Sequence, residues 1–176
     1  PMRAFQRSTN PDPGWVVDSA VAFESGAAQH LRCTGLTPYA DVFTAECQVV
    51  GTDRWAPWLV VQRSTRDSQL HSTFLTVMEP YLDRPAIASV RRLAVETMNG
   101  RVLPESFAAI EISFDSLRTD MILSGSGAAG TELIEPFHAI HFSGACAWGR
   151  FHGMLPERIL LSRGTFPRPG ALSLCF

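Results

Sequence analysis

Lysine is absent from this chain: all 15 basic residues are arginine, against 17 acidic residues and a net charge of −2. No basic block of the kind nucleic-acid binders carry occurs. No apolar run approaches the roughly 20 residues of a membrane-spanning helix. The four cysteines (Cys33, Cys47, Cys146 and Cys175) form no Cys-x-x-Cys pair, which argues against a zinc ribbon or a thioredoxin-like site. Reduced thiols are the default expectation, and sequence leaves a Cys33–Cys47 bridge undecided. The opening Pro1-Met2-Arg3 shows no signal-peptide pattern, which leaves the compartment open. A sustained 3.6-residue apolar period is missing too, apart from a weak one over Ser89 to Met98.

What remains is alternation, punctuated by turns. Trp15 to Phe23, Asp41 to Val50, Trp55 to Arg63 and Phe107 to Phe114 read as strands. Pro85 to Thr97 reads as one long strand, and Phe137–Phe142, Ala145–His152 and Glu157–Arg163 as three short ones. In Asp41–Val50 the apolar set Phe43, Ala45, Cys47 and Val49 is the expected buried face. Asn99-Gly100 is the strongest turn dipeptide. The glycine-rich stretch from Ser124 to Gly130 lacks the Gly-Lys-Ser/Thr ending of a phosphate loop and reads as a linker. The expected architecture is all-β, an antiparallel β-sandwich of roughly ten or eleven short strands. Residues 1–14 read as a leader or linker, 15–165 as the sandwich and 166–176 as a tail.

The stretch Ser72-Thr-Phe-Leu-Thr-Val-Met-Glu-Pro-Tyr81 is apolar on both faces, which predicts a central strand with Phe74 and Val77 in the core. Ile110, Ile112 and Phe114 are the other expected core residues. Pro80 is expected to stop the ladder. Glu79, set among apolar neighbours, is expected to be partly buried and paired, with Arg84, Arg91 or Arg92 as partners.

Three ordered pieces carry a family resemblance. Ser72–Tyr81 with Arg84–Leu93, Ala109-Ile-Glu-Ile112 with Arg118–Ser124, and Phe142–Trp148 with Arg158–Thr165 together resemble the C-terminal β-rich part of heparinase II/III-like polysaccharide lyases. The match runs from about Gly14 to Thr165 and lies in the order of the pieces, since none is a catalytic signature. It departs at Leu117, where relatives favour glycine, so a different turn geometry is expected there. The resemblance implies a partner α/α-toroid domain upstream, an acidic polysaccharide as ligand, and a periplasmic or extracellular location. Such lyases remove the C5 proton of a uronic acid, chiefly with toroid residues, and no family catalytic residue can be matched onto this chain. The catalytic set is therefore unknown, and the domain is expected not to be catalytic alone but to stabilise the parent enzyme or line its acidic-polysaccharide cleft.

Arginine suits an acidic glycan because its planar fork pairs bidentately with carboxylate or sulfate. Tyr81, Arg84, Arg91 and Arg92 are the candidate ligand-binding residues. Alternation sends Arg91 and Arg92 to opposite faces, so at most one meets a ligand. Glu79, Glu111 and Asp120 are the acids on strands, expected to be solvated or arginine-paired rather than catalytic. An elimination base would have to be Tyr39, Tyr81 or a histidine. Neither cofactor nor metal is expected, and neither nucleic acid nor membrane as partner. Two alternatives stay open: a self-standing carbohydrate-binding or oligomerisation module, and a small β-barrel metalloprotein using His138, His141 or His152.

Overall fold

Alternation produces strands and no helix among the described residues, with every strand pair antiparallel, which is the all-β class and is consistent with a β-sandwich. The computed structural model describes residues 2–9, 14–22, 28–64, 66, 72–97, 107–114, 117–125, 133–135 and 140–165. Asn99-Gly100, His138 and residues 126–130 and 166–176 lie outside them. The chain divides into two compact units, Pro1–Pro85 and Ala86–Phe176.

The first unit holds β1 (Met2–Thr9), β2 (Trp15–Ala22), β3 (Ala28–Gly35), β4 (Asp41–Gln48), β5 (Trp55–Gln62) and β6 (Thr76–Tyr81). They form two three-stranded sheets, β1-β4-β5 and β2-β3-β6. Trp15, Val17 and Cys33 from the second sheet pack with Val42, Leu59 and Val61 from the first. Trp15 pairs directly with Gly35, and a Cβ there would lie 2.0 Å from the indole. Only glycine lets the ring cross its partner strand so closely. Cys33 is buried and free, and burial raises its thiol pKa, with Asp18 adding to the effect.

Several expectations change here. Residues 2–9, read as leader, pair with β4 as β1. On β4 Val42 meets the unit's core, whereas Phe43 lies on the other face, tilted against Phe5 with centroids 5.7 Å apart, and of the expected set Ala45 alone is buried. Alternation over Asp41–Gln48 favours the odd face, with Phe43, Ala45 and Cys47 against Val42 alone, but Phe43 is met by Phe5 of β1, and Val42 faces the core instead. The strand expected to be central is shorter and sits at an edge. Residues 72–75 are not strand, β6 pairs only with β3, and Phe74 is 53% exposed. Pro80 does not stop the ladder: it stays in register with Leu31, because its missing N–H can face the open edge.

The second unit is one seven-stranded sheet of β7 (Ser89–Arg92), β8 (Glu96–Thr97), β9 (Phe107–Ser113), β10 (Arg118–Gly125), β11 (Leu133–Glu135), β12 (Ile140–His152) and β13 (Leu155–Thr165). Its order is β7-β9-β10-β12-β11-β8, with β13 also on β12. The long strand expected over Pro85–Thr97 is broken. β7 pairs with β9 and β8 with β11, while Leu93 and Val95 between them plunge into the core. The short strands expected near Phe137 and Ala145 are a single β12 of 13 residues. Its buried set changes from Ile140 and Phe142 to Ala147 and Phe151, from even to odd numbers, so the strand serves the core from both its faces.

That core contains Phe107 and Ala109 of β9, Met121 and Leu123 of β10, and Phe142, Ala147 and Phe151 of β12. Phe107 lies over Gly125, its direct partner, as Trp15 lies over Gly35. Ile110 and Ile112 are buried on the opposite face of β9, as expected, while Phe114 is only half-buried. The β12–β13 hairpin turns at Gly153, φ 60°, with glycine at the first central position as a II′ turn requires. At Leu117 the backbone keeps ordinary φ, and Phe114 N–H donates to Arg118 O at 3.1 Å to close the turn.

Phe142→Ala is expected to cost about 3–5 kcal/mol, as truncating a fully buried aromatic does. Phe74→Ala is expected to cost under about 1 kcal/mol, as exposed substitutions do. Urea titration of both variants checks the inversion of the sequence-based assignment.

Candidate functional site

Strand alternation puts residues two apart on one face, and pairing then brings such pairs together. On the β2-β3-β6 sheet the register opposes Asp18 to Arg32 and Arg32 to Glu79, and His30 to Tyr81. One face therefore carries all five. The Tyr81 hydroxyl donates to Asp18 Oδ2. His30 Nδ1 lies 3.4 Å from Asp18 Oδ1, and its ring stacks on Tyr81 with centroids 4.7 Å apart. Arg32 Nη2 donates to Glu79 Oε2 at 2.7 Å.

The face is graded in burial. Glu79 is 8% exposed, and side-chain exposure rises to 21% at Arg32, 32% at His30 and 38% at Asp18. Tyr81 has its pKa raised, first by the hydrogen bond to Asp18, then by desolvation, with Arg32 pulling the other way. The phenol donates its hydrogen to the Asp18 carboxylate in this arrangement.

The four candidates, Tyr81 and three arginines, are divided between the two units. Tyr81 lies in the site just described, and Arg84 is exposed in the bend that follows β6. Arg91 and Arg92 belong to the second unit and face opposite sides of it, opposed to Glu111 and Ile110 respectively. Arg91 grips Glu111 with two bonds, at 2.5 and 2.8 Å, and Arg92 Nη2 donates to Phe107 O at 3.3 Å.

The three strand acids share one fate. Glu79, Glu111 and Asp120 are all buried, and each is directly opposite an arginine that binds it: Arg32, Arg91 and Arg150. Arg150 holds Asp120 by two bonds of 2.8 Å, which raises the guanidinium pKa against the opposing effect of desolvation. Glu79 is buried and paired as expected, with a partner 47 residues away that the nearby-arginine argument did not supply.

Asp18, His30 and Arg32 were missed by sequence reasoning. The available signal was the spacing of two, His30/Arg32 and Glu79/Tyr81, but nothing local says that β3 pairs with β6. The histidine metal reading gains no support from position. His141 and His152 lie on one strand, eleven places apart at roughly 3.3 Å per residue. His152 Nδ1 instead lies 3.9 Å from Glu157 Oε1. Among the described residues no three His, Cys, Asp or Glu side chains converge. Comparison with protein families, characterised proteins and solved structures finds no match.

Two outcomes are expected. Arg150→Met should lower the thermal midpoint more than the Arg150→Met/Asp120→Leu double variant does, because the single change strands a buried carboxylate. In alkaline titration the Tyr81 phenolate should form above the ordinary value of about 10, and Asp18→Asn should lower it. The folded pKa lies above the unfolded one, so this bond's contribution to stability is intact below about pH 10 and fades as pH climbs through the raised value. Phenolate absorbance of wild type, Tyr81→Phe and Asp18→Asn checks the assignment.

Proposed function

We propose that this chain is a non-catalytic β-rich domain similar to the C-terminal part of a heparinase II/III-like polysaccharide lyase, and that it lines an acidic-polysaccharide cleft. The observation that carries the non-catalytic half is the arginine opposite each buried acid. Carboxylates locked in this way hold strands together and are not available as bases or nucleophiles.

For the glycan half, support comes from the Asp18–His30–Tyr81 face and from Arg84 just beyond it. A phenol, an imidazole and a carboxylate at an exposed sheet face are hydrogen-bonding groups suited to sugar hydroxyls. Arg84 has no ion-pair partner among the described residues and supplies a fork for carboxylate or sulfate. Arg91 is already held by Glu111, so it is assigned to the scaffold. The parent activity would be uronate elimination, supplied by an upstream toroid domain.

Incubation with heparin, heparan sulfate, alginate and chondroitin is expected to give binding without unsaturated-uronate absorbance. Binding should weaken as salt rises, since exposed charges are screened beyond roughly 8–10 Å at physiological ionic strength. It should fall in Arg84→Ala and Tyr81→Ala and persist in Arg158→Ala, an exposed arginine of the second unit. Turnover that survives repurification would overturn the non-catalytic reading, and binding indifferent to salt would overturn the acidic-glycan one.

A further inference from the structure

The turn between β3 and β4 carries a tyrosine in a backbone conformation that tyrosine disfavours. Tyr39 has φ 54°, in the left-handed region where a Cβ crowds the backbone and where glycine or asparagine is at ease. Its side chain is 72% exposed, so burial does little to offset this.

The turn around it is anything but loose. Leu36 is 8% exposed, Thr37 3% and Ala40 1%. Leu36 N–H donates to Leu75 O at 3.0 Å, and Leu75 N–H donates back to Thr37 Oγ1 at 3.1 Å. Two reciprocal bonds thus fix the turn to the segment leading into β6. The buried neighbours on both sides leave Tyr39 one direction, outward. A strained residue held by over-determined surroundings is the pattern found at ligand clamps.

We infer that Tyr39 is a ligand-stacking residue, presented on a rigid turn to pack its ring against a sugar ring of the bound polysaccharide. A pre-positioned aromatic with few rotatable bonds loses little entropy on binding, and its hydroxyl can meet a sugar hydroxyl at the ring's edge. The inference rests on the acidic-glycan reading above but names a different place. Leu36 and His30 are six residues apart along the strand direction, so the turn lies about 20 Å from the His30–Tyr81 pair. Tyr39 is thus a second contact point on the same unit, suited to a chain longer than one or two sugars.

The test compares the wild-type chain with Tyr39→Gly, Tyr39→Trp and Tyr81→Ala, binding heparin and alginate oligosaccharides of increasing length. Tyr39→Gly is expected to weaken binding of the longer oligosaccharides by roughly five- to tenfold. It should weaken that of disaccharides little, and its thermal midpoint should equal or exceed that of wild type because the left-handed position is relaxed. Tyr39→Trp should keep the affinity. Unchanged affinity in Tyr39→Gly, with loss in Tyr81→Ala, would sink the Tyr39 assignment and leave the glycan reading standing. A lower midpoint in Tyr39→Gly would make the tyrosine structural and sink it as well. No binding by wild type at any length would overturn both.

Discussion

The pairing of an arginine with a carboxylate directly across a strand ladder is the interaction on which much of this structure turns. It recurs at Arg3–Glu46, Arg32–Glu79, Arg91–Glu111 and Arg150–Asp120, in both units and in three sheets. Opposed residues in an antiparallel pair bring their Cβ atoms to about 5 Å, within easy reach of an arginine fork. The planar fork then takes up both carboxylate oxygens where geometry allows, as at Glu111 and Asp120. A chain without lysine makes every such pair with the residue best shaped for it.

These pairs act on register more than on net stability. Taking a carboxylate out of water is costly, and its attraction to the arginine does little more than offset that. Sliding a strand by one residue, however, would send the acid to one face and the arginine to the other. A buried carboxylate would then stand alone, at a cost of several kcal/mol. Glu79, Glu111 and Asp120 therefore favour one alignment of β3 with β6, β7 with β9 and β10 with β12 over its neighbours.

Glycines placed under aromatic rings do the complementary apolar work. Trp15 over Gly35 and Phe107 over Gly125 each use a missing side chain to seat a large ring across the neighbouring strand. Each ring belongs to its unit's core. The exposed polar face of Asp18, His30 and Tyr81 is carried on the same sheet as the Trp15–Gly35 pair, so the ring that fills the core also steadies the candidate site.

The sequence by itself determined the all-β class, the antiparallel pairing and the burial of Ile110, Ile112 and Glu79, because alternation and turn residues are local properties of the chain. It determined that Arg91 and Arg92 diverge, for the same reason of period two. Only the tertiary structure decided which alternating face is inner, as at Val42 against Phe43, and that Phe74 lies at the surface. It also decided that β6 is an edge, that β12 is one continuous strand, and that Glu79 meets Arg32 and Tyr81 meets Asp18. Those outcomes depend on which strands become neighbours. Side-chain partners separated by 47 or 63 residues are brought together by the free energy of whole sheets, which no window of the sequence contains.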